Sequence, residues 1–161
     1  MSYLENLDQA VGLSQPASDA LSKLFGSRFQ TAQAVRDHHG RDESPYPLMA
    51  PDAVVHAHST EEVSALMKLA SAHRFPVIPY GAGSSVEGQI LAIRGGVSLD
   101  LSQMDQVIEV HADDMTATVQ AGVRRLALNE AVRHAGLFFP VDPGADATIG
   151  GMCATRASGT N

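Results

Sequence analysis

Short helices and strands that alternate along the chain predict a fold of mixed α and β structure, preceded by a helical lead-in. Residues 51–80 have the pattern strand, helix, strand, and residues 97–120 contain three further short β-rich segments. Two glycine-rich segments, residues 81–96 and 144–159, hold nine of the 14 glycines. Because glycine is needed where the backbone takes a positive φ or approaches another group closely, these segments predict either tight turns or two walls of one binding site.

The composition is that of an ordinary globular domain. The chain has 161 residues, of which 44% are hydrophobic, with 11 basic and 18 acidic residues. The net charge of -7 argues against general nucleic-acid binding, and a single cysteine, Cys153, excludes an intrachain disulfide. There is no apolar run of about 18 residues, which a membrane span needs, and no secretory start. We therefore expect a cytoplasmic or cytoplasm-facing protein.

Residues 1–50 are predicted to be a helical lead-in and linker, and residues 51–161 the main domain. Two helices are expected in the lead-in, each stopped by a following glycine, at Ser18–Phe25 and Thr31–His38. The charged segment 41–47 that follows them contains two prolines and is expected to be irregular.

The main domain begins with a predicted strand, helix and strand. The first strand is the β-branched run Ala53–Ala57. Ser59 and Glu62 then fit a capping box, in which the serine accepts a hydrogen bond from the glutamate amide and the glutamate reaches back. The helix has one apolar face and ends before Pro76. The second strand, Val77–Pro79, leads directly into the first glycine segment.

Three more strands and a second helix follow the first glycine segment. The strands are predicted at Val97–Leu101, Val107–Val110 and Met115–Gln120, with Asp113-Asp114 as a turn between the last two. The helix is predicted over Val123–Ala135, with Gly136 at its end.

The first glycine segment starts as Tyr80-Gly81-Ala82-Gly83-Ser84-Ser85. Small residues expose consecutive backbone amides, and such a nest of N–H groups binds an oxyanion, most often phosphate. The segment lacks the Gly-Lys-Ser/Thr of a nucleoside-triphosphate loop, and Val86 stands where the dinucleotide fingerprint requires its third glycine. A phosphate-containing ligand of another class is therefore favoured, with a tight turn between strands as the alternative.

The second glycine segment continues into residues 150–161, which are almost free of bulky side chains. Such a stretch predicts either a large flat ligand packed against the backbone or a tight contact between elements. Because the first segment independently indicates phosphate, we favour the ligand.

With both segments in this order, the sequence resembles the FAD-binding domain of the vanillyl-alcohol oxidase / p-cresol methylhydroxylase superfamily. The residues that carry the resemblance are Pro76–Gly88, Ile149–Met152 and Thr155–Asn161. Within the superfamily the sequence is most similar to the branch of FAD-linked D-lactate dehydrogenases (cytochrome type) and glycolate oxidases. The resemblance covers roughly residues 35–161. It implies an α+β fold of two small subdomains, truncated at its C-terminal side, with FAD stretched between them.

The resemblance also implies which residues hold FAD. The first segment would wrap the pyrophosphate, the second would line the adenosine and ribityl side, and the residues after it would run toward the isoalloxazine. In that order the implied residues are Pro79, Tyr80, Gly81, Ala82, Gly83, Ser84 and Ser85; Asp142, Pro143, Ala147, Thr148, Gly150 and Gly151; and Ala154, Ser158, Gly159 and Asn161. Ser84 stands where relatives with flavin attached covalently from this loop have a histidine, so non-covalent FAD is expected; attachment through a residue beyond Asn161 stays open.

The implied reaction moves a hydride equivalent from the α-carbon of a 2-hydroxy acid to the flavin. A cytochrome or quinone would accept the electrons, which would place the protein near a membrane. In this family the base, the carboxylate-binding arginine and the metal ligands come from a later substrate domain. We therefore assign no catalytic and no metal-binding residue here, and we expect an N-terminal piece that is inactive by itself.

Other polar residues are interpreted as structural. The seven histidines have no metal-ligand spacing and are expected to be surface or structural residues. Arg156 is expected to form a structural salt bridge, with pairing to a phosphate or a substrate carboxylate as the alternative. Cys153 is expected to be a small buried residue.

Two other functions stay open. The chain could belong to another flavoenzyme of the superfamily, such as UDP-N-acetylmuramate dehydrogenase or the alkyl-ether lipid synthase. It could also be a non-catalytic module that carries FAD or a nucleotide, or that binds nothing. The acidic lead-in and the run Ser84–Gly88 favour the hydroxy-acid branch.

Overall fold

The computed structural model describes residues 12–159. Its helices are α1 (Gln15–Phe25), α2 (Gln33–His39), α3 (Thr60–His73), α4 (Arg125–Val132) and α5 (Ile149–Thr155). Its strands are β1 (Phe29–Gln30), β2 (Ala53–His56), β3 (Val77–Tyr80), β4 (Val97–Asp100), β5 (Val107–His111) and β6 (Thr116–Val119). The mixture of helices and sheets agrees with the predicted fold class, but α5 lies in the small-residue segment for which no helix was predicted. No helix in the described part of the chain is long and apolar enough to span a membrane.

Four strands form one sheet in the order β1-β2-β4-β3. β1 is antiparallel to β2, while β2, β4 and β3 run parallel to one another. β2 and β4 are buried almost throughout, and β4 buries two polar residues, Ser98 and Asp100, beside Val97 and Leu99. The register pairs both His56 and Tyr80 with Asp100. His56, Tyr80 and Asp100 therefore lie side by side at the carboxyl edge of the sheet, where the first glycine segment begins.

The lead-in packs against this sheet. Ala17, Leu21 and Phe25 form the buried face of α1 at helical spacing, and they share one hydrophobic core with Val55 and Leu66. Strand β1 extends the sheet at its edge. The boundary placed at residue 50 stays a prediction.

The start of α3 is tied to the lead-in by an ion pair. Ser59 Oγ accepts from the Glu62 N–H at 3.3 Å, which confirms half of the predicted capping box. Glu62 does not reach back to Ser59: its carboxylate accepts instead from the His58 N–H at 2.8 Å and from two nitrogens of Arg28 at 2.5 and 2.6 Å. The hydrogen bonds from Arg28 outweigh partial burial and lower the pKa of Glu62 to about 2.

Glu62→Gln is expected to lower the free energy of unfolding by about 2 kcal/mol at neutral pH, since it removes a charge-assisted bidentate pair. The pKa of the carboxyl is lowered from 4.5 to about 2 in the folded protein, so its contribution is present above pH 4.5 and is lost as the pH falls toward 2. Denaturant unfolding of both proteins across this pH range measures the difference. The exposed neighbour Glu61 provides the matched control Glu61→Gln, and equal losses in the two variants would contradict the assignment.

The second part of the chain is built on a hairpin. β5 and β6 pair antiparallel through a turn at residues 112–115, as Asp113-Asp114 predicted. α4 packs against the hairpin through Leu128 and Val132. The helix begins later than predicted because Val123 accepts a hydrogen bond from the Ile149 N–H at 2.8 Å, and because residue 124 forms a bridge with residue 148.

Candidate functional site

A cavity of about 730 Å³ lies beyond the carboxyl ends of β3 and β4. One wall is the first glycine segment, residues 79–90, and the other is formed by residues 143–158, which include α5. In sheets with parallel strands, ligands bind in a crevice at this edge. The two segments that the sequence singled out therefore meet at a single site.

Most of the predicted FAD-binding residues line this cavity. They are Pro79, Tyr80, Gly81, Ala82, Gly83, Ser84, Ser85, Pro143, Ala147, Thr148, Gly150, Gly151, Ala154 and Ser158. Asp142 and Gly159 are absent from the lining, and Asn161 lies outside the described residues.

Asp142 and Gly159 brace the second wall from behind. Asp142 Oδ1 accepts from the Gly144 N–H at 2.9 Å, and its other oxygen lies 3.3 Å from an Arg125 nitrogen. A Cβ added at Gly159 would lie 2.4 Å from the Asp142 backbone nitrogen. Gly159 lies close against the Asp142 backbone, and Asp142 pairs with Arg125 at the start of α4. Both residues therefore support the second wall without lining the cavity.

Two glycines at the cavity allow close contacts between neighbouring segments. A Cβ added at Gly81 would lie 2.3 Å from Thr148 Oγ1. At Gly150 it would lie 2.8 Å from Ala121 Cβ. Packing between elements, the alternative considered for the small residues, therefore accounts for part of the glycine content.

The first wall exposes hydrogen-bond donors. Within residues 12–159, the N–H groups of residues 82–86 donate to no protein acceptor. Gly83 takes a φ of +69°, which L side chains rarely adopt. Unpaired consecutive amides beside the Ser84 hydroxyl are the groups that an anion-binding nest requires, while the Ser85 hydroxyl donates to Gln89 Oε1.

The second wall contains a short helix that the sequence analysis missed. Thr148 caps α5, its Oγ1 accepting from the Gly151 N–H at 3.2 Å, and Met152 is the buried residue of the helix. Cys153 is exposed, so its expected burial is wrong, because α5 turns only Met152 inward. The salt bridge expected for Arg156 is not formed with any described residue. Arg156 instead ends the helix in the left-handed conformation and lines the cavity.

Beneath the first wall, side chains from three strands and α2 form a buried polar cluster. His39 Nδ1 lies 2.9 Å from the Val35 carbonyl, and His39 Nε2 lies 2.9 Å from Asp100 Oδ2. The His39 ring therefore links the end of α2 to the carboxyl edge of β4. The Tyr80 ring packs on the His39 ring with centroids 4.2 Å apart. The structural role expected for the histidines holds for this one.

Two pKa values show how the cluster is charged. Burial alone would raise the pKa of Asp100, but hydrogen bonds from His39 and Ser102 hold it below its usual value. Burial lowers the pKa of His56 despite the opposing charge of Asp100, and the neighbouring His39 lowers it further. His56 Nδ1 lies 3.3 Å from Asp100 Oδ2 but is not oriented for a hydrogen bond. The cluster therefore centres on the Asp100 carboxylate, which hydrogen bonds from His39 and Ser102 favour in its charged form, beside His56, whose charged form is disfavoured by burial.

Several lining residues were not foreseen. They are Val86, Glu87, Gln89, Ile90, Leu101, Ala121, Ala145, Met152, Thr155, Arg156 and Ala157. Their position beside the predicted segments, or directly after β4 and β6, is the one signal that could have indicated them.

Residues 51–161 match the family model described as FAD binding domain. The chain belongs to the FAD-binding domain family. It is 52% identical over 128 residues to the probable mitochondrial D-lactate dehydrogenase of Danio rerio, covering 80% of this chain and 26% of that protein. It is 35% identical to the glycolate oxidase subunit GlcD of Bacillus subtilis, covering 91% of this chain and 32% of that one. The chain thus spans about a quarter to a third of these relatives.

Solved structures agree with the fold. An alkyldihydroxyacetonephosphate synthase superposes with a TM-score of 0.82 at 30% identity, covering 92% of this chain and 33% of that one. A p-cresol methylhydroxylase shares the fold with a TM-score of 0.68 at 23% identity, covering 81% and 27% of the two chains. The superfamily resemblance and the α+β fold class are confirmed.

The residues at the cavity fit FAD, the cofactor of this family. The nest of unpaired amides at residues 82–86 suits a pyrophosphate. Glycine at positions 81 and 83 lets the loop backbone pack directly on the Thr148 and Tyr80 side chains, where a Cβ would clash. The second wall offers the small residues Ala154 and Ala157, against which a flat ring system can lie.

Proposed function

We propose that this chain is the FAD-binding portion of a flavin-dependent dehydrogenase or oxidase of 2-hydroxy acids, of the D-lactate or glycolate type. The observation that carries the proposal is the meeting of both motif segments at one cavity whose first wall presents unpaired amides. The names of the D-lactate and glycolate relatives support the substrate class. FAD, when bound, supplies the acceptor for the hydride equivalent removed from the hydroxy acid.

Each wall has its own part in holding the cofactor. The amides and hydroxyls of residues 80–85 hold the pyrophosphate. Pro143, Ala147, Thr148, Gly150 and Gly151 face the adenosine and ribityl side, with Asp142 and Gly159 supporting them from behind. Ala154 and Ser158 lie toward the isoalloxazine, and Asn161 is assigned there by resemblance alone.

FAD is held non-covalently, and this chain has no dehydrogenase activity by itself. Ser84 carries no nucleophilic imidazole for attachment to the flavin. No histidine lines the cavity within the described residues, so an imidazole base of the usual kind is lacking there. The full protein delivers its electrons to a cytochrome or quinone and works in the cytoplasm or at a membrane surface.

We expect the purified 161-residue chain to bind one FAD, with quenching of flavin fluorescence, and to release it unmodified on acid precipitation. Addition of D-lactate, glycolate or 2-hydroxyglutarate is expected to leave the flavin oxidised and a redox dye unreduced. A protein that cannot be loaded with FAD would contradict the cofactor assignment. Flavin that stays with the precipitate would contradict non-covalent binding, and bleaching by a hydroxy acid would contradict inactivity.

A second candidate is the FAD domain of an alkyl-ether lipid synthase, favoured by the TM-score of 0.82 to alkyldihydroxyacetonephosphate synthase. The sequence identity of 52% to a D-lactate dehydrogenase relative favours the hydroxy-acid function instead. The full-length protein decides between them, because a hydroxy-acid enzyme bleaches its flavin with D-lactate or glycolate and an ether-lipid synthase does not.

A further inference from the structure

The lead-in supplies a segment, residues 38–46, that crosses the outer side of the first wall. We name this segment the strap. It joins the end of α2 to the chain before β2 and does not line the cavity. The strap nevertheless contacts the loop of residues 80–88 at both of its ends.

At the near end, the strap holds Tyr80. Its His38 Nε2 lies 3.2 Å from Tyr80 Oη, and its His39 packs against the Tyr80 ring. Tyr80 Oη in turn lies 2.4 Å from where a Cβ of Gly83 would be. The position of the tyrosine therefore limits where the loop backbone can lie.

At the far end, the strap hydrogen-bonds to the loop backbone. Asp42 Oδ2 accepts from the Gly88 N–H at 2.9 Å, and the Glu43 N–H donates to the Ser85 carbonyl at 3.0 Å. Asp42 Oδ1 accepts from the Ser44 N–H at 3.0 Å, which fixes the carboxylate within the strap. These hydrogen bonds hold the pKa of Asp42 below its usual value although partial burial opposes them.

Between these two ends the loop is supported from within by the Gln89 side chain, whose Oε1 accepts from the Ser85 hydroxyl and from the Glu87 N–H. The amides of residues 82–86 have no protein acceptor within the described residues, so no ladder or turn bond shapes them. A loop of this kind loses conformational entropy when it closes on a ligand. The strap contacts remove part of that freedom before the ligand arrives.

We propose that the strap is a positioning element of the cofactor site and that Asp42 is its main positioning residue. Asp42 acts through Gly88 and Ser44 and touches no ligand itself. The proposal rests on the proposed function, since the ligand to be positioned is FAD. Cofactor affinity then depends on a side chain that lies outside the cavity and outside residues 51–161, which match the family model.

The test is Asp42→Asn in the full chain. Asparagine keeps the size, but it loses the charge and can turn only one oxygen toward two N–H donors. We expect the dissociation constant for FAD to rise about tenfold, and amide hydrogen exchange of residues 82–88 to become faster without FAD present. Exchange in β2 and β4 is expected to stay as in the unsubstituted protein.

The matched control is Asp37→Asn on α2, whose carboxylate accepts from the Gln33 side chain at 2.6 Å and does not reach the loop. This variant is expected to keep both the FAD affinity and the exchange rates. Unchanged loop exchange in Asp42→Asn, or an equal effect of Asp37→Asn, would overturn the positioning role. If the unsubstituted chain fails to bind FAD, the proposed function fails, while the exchange comparison still decides whether the strap orders the loop.

Discussion

Gly83→Ala is expected to weaken FAD binding by about 100-fold, which corresponds to about 2.7 kcal/mol. Two effects add. The φ of +69° at residue 83 disfavours any residue with a Cβ. The new methyl group would also lie 2.4 Å from Tyr80 Oη. Tyr80 cannot yield without moving His39, on which its ring packs, so the loop backbone must move instead.

Gly136→Ala separates these two effects. Gly136 has a φ of +71°, close to that of Gly83, but a Cβ there would meet no atom within 4 Å. It ends the turn after α4, outside the cavity lining. We expect this control to lose about 1 kcal/mol of stability and to bind FAD normally. Fluorescence titration with FAD measures both variants, and a normal affinity of Gly83→Ala would show that the loop backbone does not set cofactor binding.

Asp100→Ala is expected to lower the free energy of unfolding by about 3–5 kcal/mol, because it leaves a buried His39 nitrogen and the Ser102 N–H without their acceptor. Asp100 is 5% exposed, and its carboxylate also accepts from the Ser102 N–H at 2.7 Å. Since the folded pKa of Asp100 lies below its usual value of 3.8, the stabilisation is present above that pH and is lost as the pH falls through the folded pKa. Denaturant unfolding at pH 7 therefore measures the full effect.

Asp100→Asn is a milder substitution at the same position, and its loss of stability is compared with that of the alanine variant. An asparagine can accept from Ser102 but carries no charge, so we expect a loss of about 1–2 kcal/mol at pH 7 that becomes smaller as the pH falls through the folded pKa of Asp100, which lies below 3.8. If the alanine variant does not fold, this pH dependence carries the test. A loss that does not change with pH would contradict the ionised Asp100 carboxylate. The exposed Asp105 offers the control Asp105→Asn, for which no loss of stability is expected.

Local sequence patterns were sufficient for most elements. Capping at Ser59, the apolar face of α3 and the turn at Asp113-Asp114 depend on neighbours within one helical turn or one hairpin, so they can be predicted from the sequence. α5 was missed because Ile149–Thr155 contains two glycines and has low helix propensity. Its helix is set by the Thr148 cap and by the burial of Met152.

The sequence by itself determined the two glycine segments, their order and the family to which they point. A cofactor loop needs glycine and small residues at definite positions, and these residues can be recognised in the sequence without a structure. Only the tertiary structure decided that Thr148 closes on Gly81 and that Cys153 is exposed. Only the structure showed that His39 and Asp100, which are 61 residues apart, form one buried pair. Such contacts follow from strand register and packing, and no local pattern of residues encodes them.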